Sequence, residues 1–131
     1  MKMKSDISTL EDVRKLVDVF YDKVQLDNTI GPIFDEVVEN RWPAHLDKMY
    51  RFWQTVLLTE HTYKGSPFTH HAKLPIHKEH FDIWLNLFHE TIDEFFEGEV
   101  AELARKQSNV MAVMFQFKLE KYRSDPSNFI L

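Results

Sequence analysis

Apolar residues recur along this chain at steps of three and four, the spacing that lines one face of an α-helix. Leu10, Val13, Val17, Phe20, Tyr21 and Val24 form the first such stripe. Ser8-Thr9-Leu10-Glu11 ahead of it reads as a capping box, the serine hydroxyl satisfying an early amide while Glu11 reaches back. Asp27-Asn28 ends this helix and Gly31-Pro32 marks a turn. Ile33, Phe34 and Val37 predict one or two helical turns before a break near Asn40. Pro43 suits the first turn of the next helix, where its missing N–H costs nothing. That helix carries the stripe Trp42, His45, Met49, Phe52, Trp53, Val56 and Leu57.

Thr59 to Ser66 reads as a loop holding Tyr63, and Pro67 opens a short helix through Ala72 that Leu74-Pro75 closes. A helix of about 30 Å follows from His77 to Phe96, with Phe81, Trp84, Leu85, Phe88, Ile92 and Phe95 on one face. Gly98 is its expected stop. The last helix carries Val100, Leu103, Gln107, Val110, Met111, Met114, Phe117 and Tyr122, and breaks at Ser124-Asp125-Pro126 before an apolar Phe129-Ile130-Leu131 tail. No strand-like alternation and no internal repeat occurs. The fold class is therefore all-α, four long helices and two short ones in a single domain over 1–131, with its core at about 8–123 and the termini outside it.

Composition narrows the chemistry. The absence of cysteine removes disulfides, iron–sulfur clusters, thiolate metal sites and cysteine nucleophiles. A net charge of −5 with both signs interspersed speaks against nucleic acid as a partner. Lys2 and Lys4 precede no apolar run, and no apolar stretch nears the ~18 residues of a membrane span. The expectation is a soluble, cytoplasmic protein with no membrane partner. Three glycines suit long helices, and eleven phenylalanines suit a core that is bulky or surrounds something large and flat.

Seven histidines stand at 45, 61, 70, 71, 77, 80 and 89. The Glu-x-x-His spacing of di-iron bundles and the HExxH zinc pattern are both missing. His77 and His80, three apart, have the spacing of a chelate but lie at a polar helix start. No nucleophile triad or glycine-rich phosphate loop is readable. His70-His71 differs from the rest: it sits on a segment fenced by Gly65, Pro67 and Pro75, directly ahead of the aromatic helix. Prolines leave such a segment few conformations, so an imidazole on it can be aimed. One placed histidine, aromatic helices and inward donors are what haem ligation requires.

At these residues the chain resembles the truncated haemoglobins, group III. The motifs are Phe20-Tyr21-x-Lys23-Val24, Gly31-Pro32-Ile33-Phe34, Trp42-x-x-His45, Phe52-Trp53, Tyr63-x-Gly65-x-Pro67, His71-x-x-Leu74-Pro75 and His80-Phe81-x-x-Trp84-Leu85-x-Leu87-Phe88, in that order over roughly 10 to 120. The glycine pairs of groups I and II are missing. Ile83 departs from the pattern, since many members have arginine there, and this leaves open which cation meets the haem propionates.

The resemblance implies a truncated globin-like two-over-two helical sandwich around haem b. It makes His71 the proximal iron ligand, chosen over His70 by the spacing to Leu74-Pro75. On the opposite haem face it implies Tyr21, Trp84 and His45 as ligand-stabilising groups. Phe20, Met49, Phe52, Phe81 and Phe88 become apolar walls, and Lys73 and His80, with Lys78 and Arg51, become candidates for the propionates. Its ligands are O2, NO, CO or similar small molecules. Two uses stay open. One is enzymatic, a nitric oxide dioxygenase or peroxidase-like haem chemistry fed by a separate reductase. The other is a non-catalytic oxygen carrier, scavenger or gas sensor. A donor-rich distal pocket leans toward the first, because oxygen held too tightly cannot be delivered.

Overall fold

The computed structural model describes residues 4–63 and 76–124. Five helices lie among the described residues: α1 (Leu10–Leu26), α2 (Gly31–Val38), α3 (Trp42–Leu58), α4 (Lys78–Phe95) and α5 (Glu99–Ser124). The short helix expected over 67–72 and the apolar tail 129–131 lie outside the described residues.

Helix α1 begins one residue later than the sequence pattern implies. Thr9 is the cap, its hydroxyl accepting from the Asp12 amide at 3.2 Å, and the Asp12 carboxylate returns to the Thr9 amide at 3.1 Å. Both registers have the required spacing. The observed one wins an extra bond, since the Ser8 amide also donates to Asp12, at 2.9 Å.

Gly31 is not a turn residue but the first residue of α2. The turn before it is built by Asp27, whose side chain accepts from the Thr29 and Ile30 amides at 2.8 and 2.9 Å. Gly31 then donates to the Asp27 carbonyl at 3.0 Å, which brings α2 hard against the end of α1. A Cβ at Gly31 would lie 2.8 Å from the Gln25 carbonyl oxygen and 2.9 Å from that of Val24. Gly31→Ala is therefore expected to cost about 1–3 kcal/mol of stability, since backbone rather than a flexible side chain must move. A urea midpoint equal to that of the unaltered protein would show that α2 can shift freely.

Helix α4 ends at Phe95, with Phe96 as its cap. Gly98 has a different task from the expected helix stop: with φ at 141° it adopts a conformation open to glycine and lies against the Asp6 side chain. Asp6 accepts from the Val100 and Ala101 amides at 2.9 and 2.8 Å, placing a carboxylate on the positive end of α5. The chain ahead of α1 is thus joined to the α4–α5 corner, where Ser5 also accepts from the Glu97 amide at 3.1 Å.

Helix α1 packs on α3 and α4 on α5, while α4 also lies along α1 and α3 touches α5. Ile7, Val13, Leu16, Val17 and Val24 are fully buried between these layers. Phe20 meets Phe88 and Trp84 edge-on, at 5.0 and 5.5 Å, and Phe88 stacks on Trp53 at 4.8 Å. A smaller cluster forms from Ile76, Phe81, Ala112 and Leu119. No helix among the described residues is long and apolar enough to cross a membrane.

The two fully buried polar side chains among the described residues are satisfied within their own helices. Thr91 donates to the Leu87 carbonyl and Ser108 to the Arg105 carbonyl, both at 2.8 Å. The Ser108 oxygen, its proton so committed, can only accept from His89 Nε2 at 3.2 Å. Burial first, and then the Arg105 guanidinium, hold His89 below its ordinary 6.5. Between the folded and unfolded values the unfolded chain binds more protons, so stability rises with pH there. This contribution is complete above about pH 6.5 and is lost as pH falls through that value toward the lower folded one. The urea midpoint should therefore drop between about pH 8 and pH 5.5, and His89→Gln should flatten part of that drop. An identical pH dependence in the variant would remove His89 as a contributor.

Candidate functional site

A predominantly apolar cavity opens between the helix layers. Tyr21 from α1, Ile33 and Phe34 from α2, and Met49, Phe52 and Trp53 from α3 line it. His80, Phe81 and Trp84 from α4 and Met111, Ala112 and Phe115 from α5 line it as well, with Ile30 and Ile76 from the connecting chain. Rings and hydrocarbon dominate; among these side chains only Tyr21, His80 and the two indoles bring O–H or N–H groups. Such a lining suits a large, flat, mostly apolar ligand with a few polar handles.

Tyr21 is 5% exposed and is caged by four rings, all nearer edge-on than stacked. Phe20 lies at 4.8 Å, His45 at 5.2 Å, Trp42 at 5.8 Å and Phe34 at 6.0 Å, centroid to centroid. Burial alone pushes the phenol well above its usual value near 10, so the hydroxyl stays an O–H donor over the whole neutral range. Trp84 is held differently: its ring stacks on Phe88 at 5.5 Å and an angle of 2°, which fixes the plane of the indole.

His80 is both a cap and a wall. Its Nδ1 accepts from the His77 amide at 2.8 Å, so the proton of the neutral ring sits on Nε2, which becomes a donor on a residue lining the cavity. The chelate spacing of His77 and His80 thus serves to start α4. Arg123, at the end of α5, secures the same edge by donating to the Ile76 carbonyl at 2.6 Å.

The structure therefore brings Tyr21, Trp84, Met49, Phe52, Phe81 and His80 to one cavity. Phe20 and Phe88 do not line it; they stand one layer behind, against Tyr21, Trp84 and Trp53. His45 also stands behind the lining, edge-on to Tyr21 and to Trp42 at 5.6 Å. Lys78 and Arg51 turn to the surface, paired with Asp82 at 2.8 Å and Asp47 at 3.0 Å. His70, His71 and Lys73 lie outside the described residues, and the described residues hold no cluster of three metal-ligating side chains. Ile33, Phe34, Trp53 and Met111 were legible as members of apolar stripes but not as cavity residues, because core-facing and cavity-facing positions have the same apolar signature, and Phe115 lies off the stripe read for its helix.

Comparison with known proteins identifies the family. The family model for bacterial-like globins matches residues 5–118. The chain belongs to this family. The globin is 35% identical, over 124 residues, to a group 3 truncated haemoglobin of Campylobacter jejuni, covering 92% of this chain and 98% of that protein. A solved structure of group III truncated haemoglobin from Campylobacter jejuni matches with a TM-score of 0.82 at 35% identity, again over 92% of this chain and 98% of the other. The α1/α3 and α4/α5 layers are accordingly those of a two-over-two globin sandwich.

Membership implies a haem cofactor, and the cavity fits one. Its aromatic walls match a flat macrocycle, and the His80 N–H and Tyr21 O–H supply polar contacts.

Proposed function

We propose that this globin holds haem b in the cavity with His71 as the proximal ligand. It binds O2, NO and CO on the side carrying Tyr21 and Trp84, and turns over nitric oxide or reactive oxygen species in the cytoplasm with electrons from a separate reductase. Bound haem supplies a redox-active iron with one coordination position open to a small ligand.

The buried Tyr21 hydroxyl carries this reading. Its pKa is raised by burial, so it can donate a hydrogen bond but does not ionise near neutral pH. A ligand that gathers negative charge is stabilised by such a donor, more strongly where water is excluded. Met49, Phe52 and Phe81 provide that exclusion. The Trp84 indole, its plane set by Phe88, offers a second donor. His45 works one step back, by packing on Tyr21 and fixing its ring. His80 Nε2–H is suited to a propionate, with Lys73 as a further candidate for the same role.

The reading is tested by titrating the protein with hemin and recording spectra in the ferric, reduced and carbon monoxide-treated states. A one-to-one complex with a sharp Soret band that shifts under carbon monoxide supports it, as does repeated nitric oxide consumption in the presence of oxygen and a reductase. Loose, stoichiometry-free association of hemin would overturn it.

A further inference from the structure

The outer face of α5 is apolar where a solvated helix face is ordinarily polar. Val110, Val113, Met114 and Phe117 follow at steps of three, one and three, and are 41%, 66%, 47% and 59% exposed. They are four of the six large apolar side chains exposed among the described residues. The cavity makes no use of them, since α5 turns Met111, Ala112 and Phe115 toward it instead. Extended to the exposed Lys106 and Glu120, the series Lys106, Val110, Val113, Phe117, Glu120 alternates steps of four and three, the spacing of a helix–helix seam. Its two ends carry opposite charges, each seven residues from Val113 and so about 10.5 Å from it along the axis.

We propose that this face pairs with the same face of a second copy of the chain, α5 against α5, antiparallel about a two-fold axis at Val113. In that arrangement Lys106 meets Glu120 of the partner subunit, and Glu120 meets Lys106 of the partner subunit. A parallel pairing would instead set lysine on lysine and glutamate on glutamate, so charge selects the antiparallel form. The patch is self-complementary, as an isologous contact requires. Lys121, whose ammonium lies over the Phe117 ring at 5.1 Å, covers one edge of the seam with its stem. A single helix pair buries less than a standard stable interface, so the dimer forms in a concentration-dependent way.

The test is sedimentation velocity on the haem-loaded full chain from about 1 μM to about 0.5 mM, the span over which a weak dimer assembles. Mass should rise toward twice the monomer value, and Val113→Glu should hold the chain monomeric throughout. Lys106→Glu and Glu120→Lys, both at exposed positions, should each weaken self-association roughly tenfold or more, because each variant repels its own copy at both charge contacts. Mixed in equal amounts, the two variants carry opposite charges at both contacts and should form a heterodimer that neither forms alone. A chain monomeric at every concentration, a dimer indifferent to Val113→Glu, or a mixture that fails to associate would each overturn the proposal. So would a Val113→Glu variant unchanged in mass but slowed in reduction by an electron donor, which would assign the face to that donor instead.

Discussion

Replacing Tyr21 by phenylalanine should speed oxygen dissociation from the haem-loaded protein by roughly ten- to a hundredfold. The magnitude follows from the donor. A hydrogen bond to a group that gains charge contributes about 1.5–3 kcal/mol, and about 1.4 kcal/mol is a factor of ten in a rate that depends on breaking it. Phenylalanine keeps the ring that Phe20, Phe34, Trp42 and His45 enclose, so the packing is spared and only the hydroxyl is lost. Stopped-flow displacement of oxygen by carbon monoxide measures the rate directly. Because burial raises the phenol, slow dissociation in the unaltered protein should persist from about pH 6 to pH 9, a range in which an ordinary tyrosine would begin to ionise. An unchanged rate in Tyr21→Phe would pass the main donor role to Trp84. His45→Ala should act in the same direction but more weakly, since His45 packs on the Tyr21 ring without itself lining the cavity.

The contrast between Phe20 and Tyr21 also shows how far a sequence can be read. Helical periodicity places both on the inward side of α1. Consecutive residues on a helix diverge by about 100°, so one turns into the packed core and the other toward the cavity. Which does which depends on how α1 crosses α3 and α4, and a stripe carries no information on crossing. The same holds along α4, where Phe81 and Trp84 line the cavity and Phe88, one turn further, is sealed between Phe20 and Trp53. Motif resemblance goes further than periodicity by grouping these residues, yet of those it groups Tyr21, Trp84, Met49, Phe52, Phe81 and His80 line the cavity while Phe20, Phe88 and His45 stand behind it. What stayed hidden was of two kinds. Some bonds span the whole chain, such as Asp6 to the first turn of α5, 94 and 95 residues away. Others are close backbone approaches, such as Gly31 against the Val24 and Gln25 carbonyls, where glycine as a turn signal mimics glycine as a packing necessity.

Replacing His71 by alanine should abolish normal haem retention, whereas His70→Ala should leave it intact. The residues that bracket this segment are anchored at the cavity. Tyr63 lies edge-on to Phe52 at 5.4 Å, and Ile76 is buried beside Phe81 and Ala112 with its carbonyl held by Arg123. Apolar burial alone would still draw hemin into walls as aromatic as these, which is why uptake by itself is a poor measure. The informative quantities are the rate at which haem passes to an acceptor apoprotein and the spectrum of the carbon monoxide complex. In His71→Ala, transfer should accelerate and the histidine-ligated spectrum should vanish, with added imidazole restoring it by filling the space of the lost ring. Far-ultraviolet circular dichroism of the two apoproteins should agree, separating a lost ligand from a lost fold. A His71→Ala protein that keeps both the transfer rate and the spectrum would move the proximal role to His70 or further along the chain, and the same result in His70→Ala would leave His71 in place.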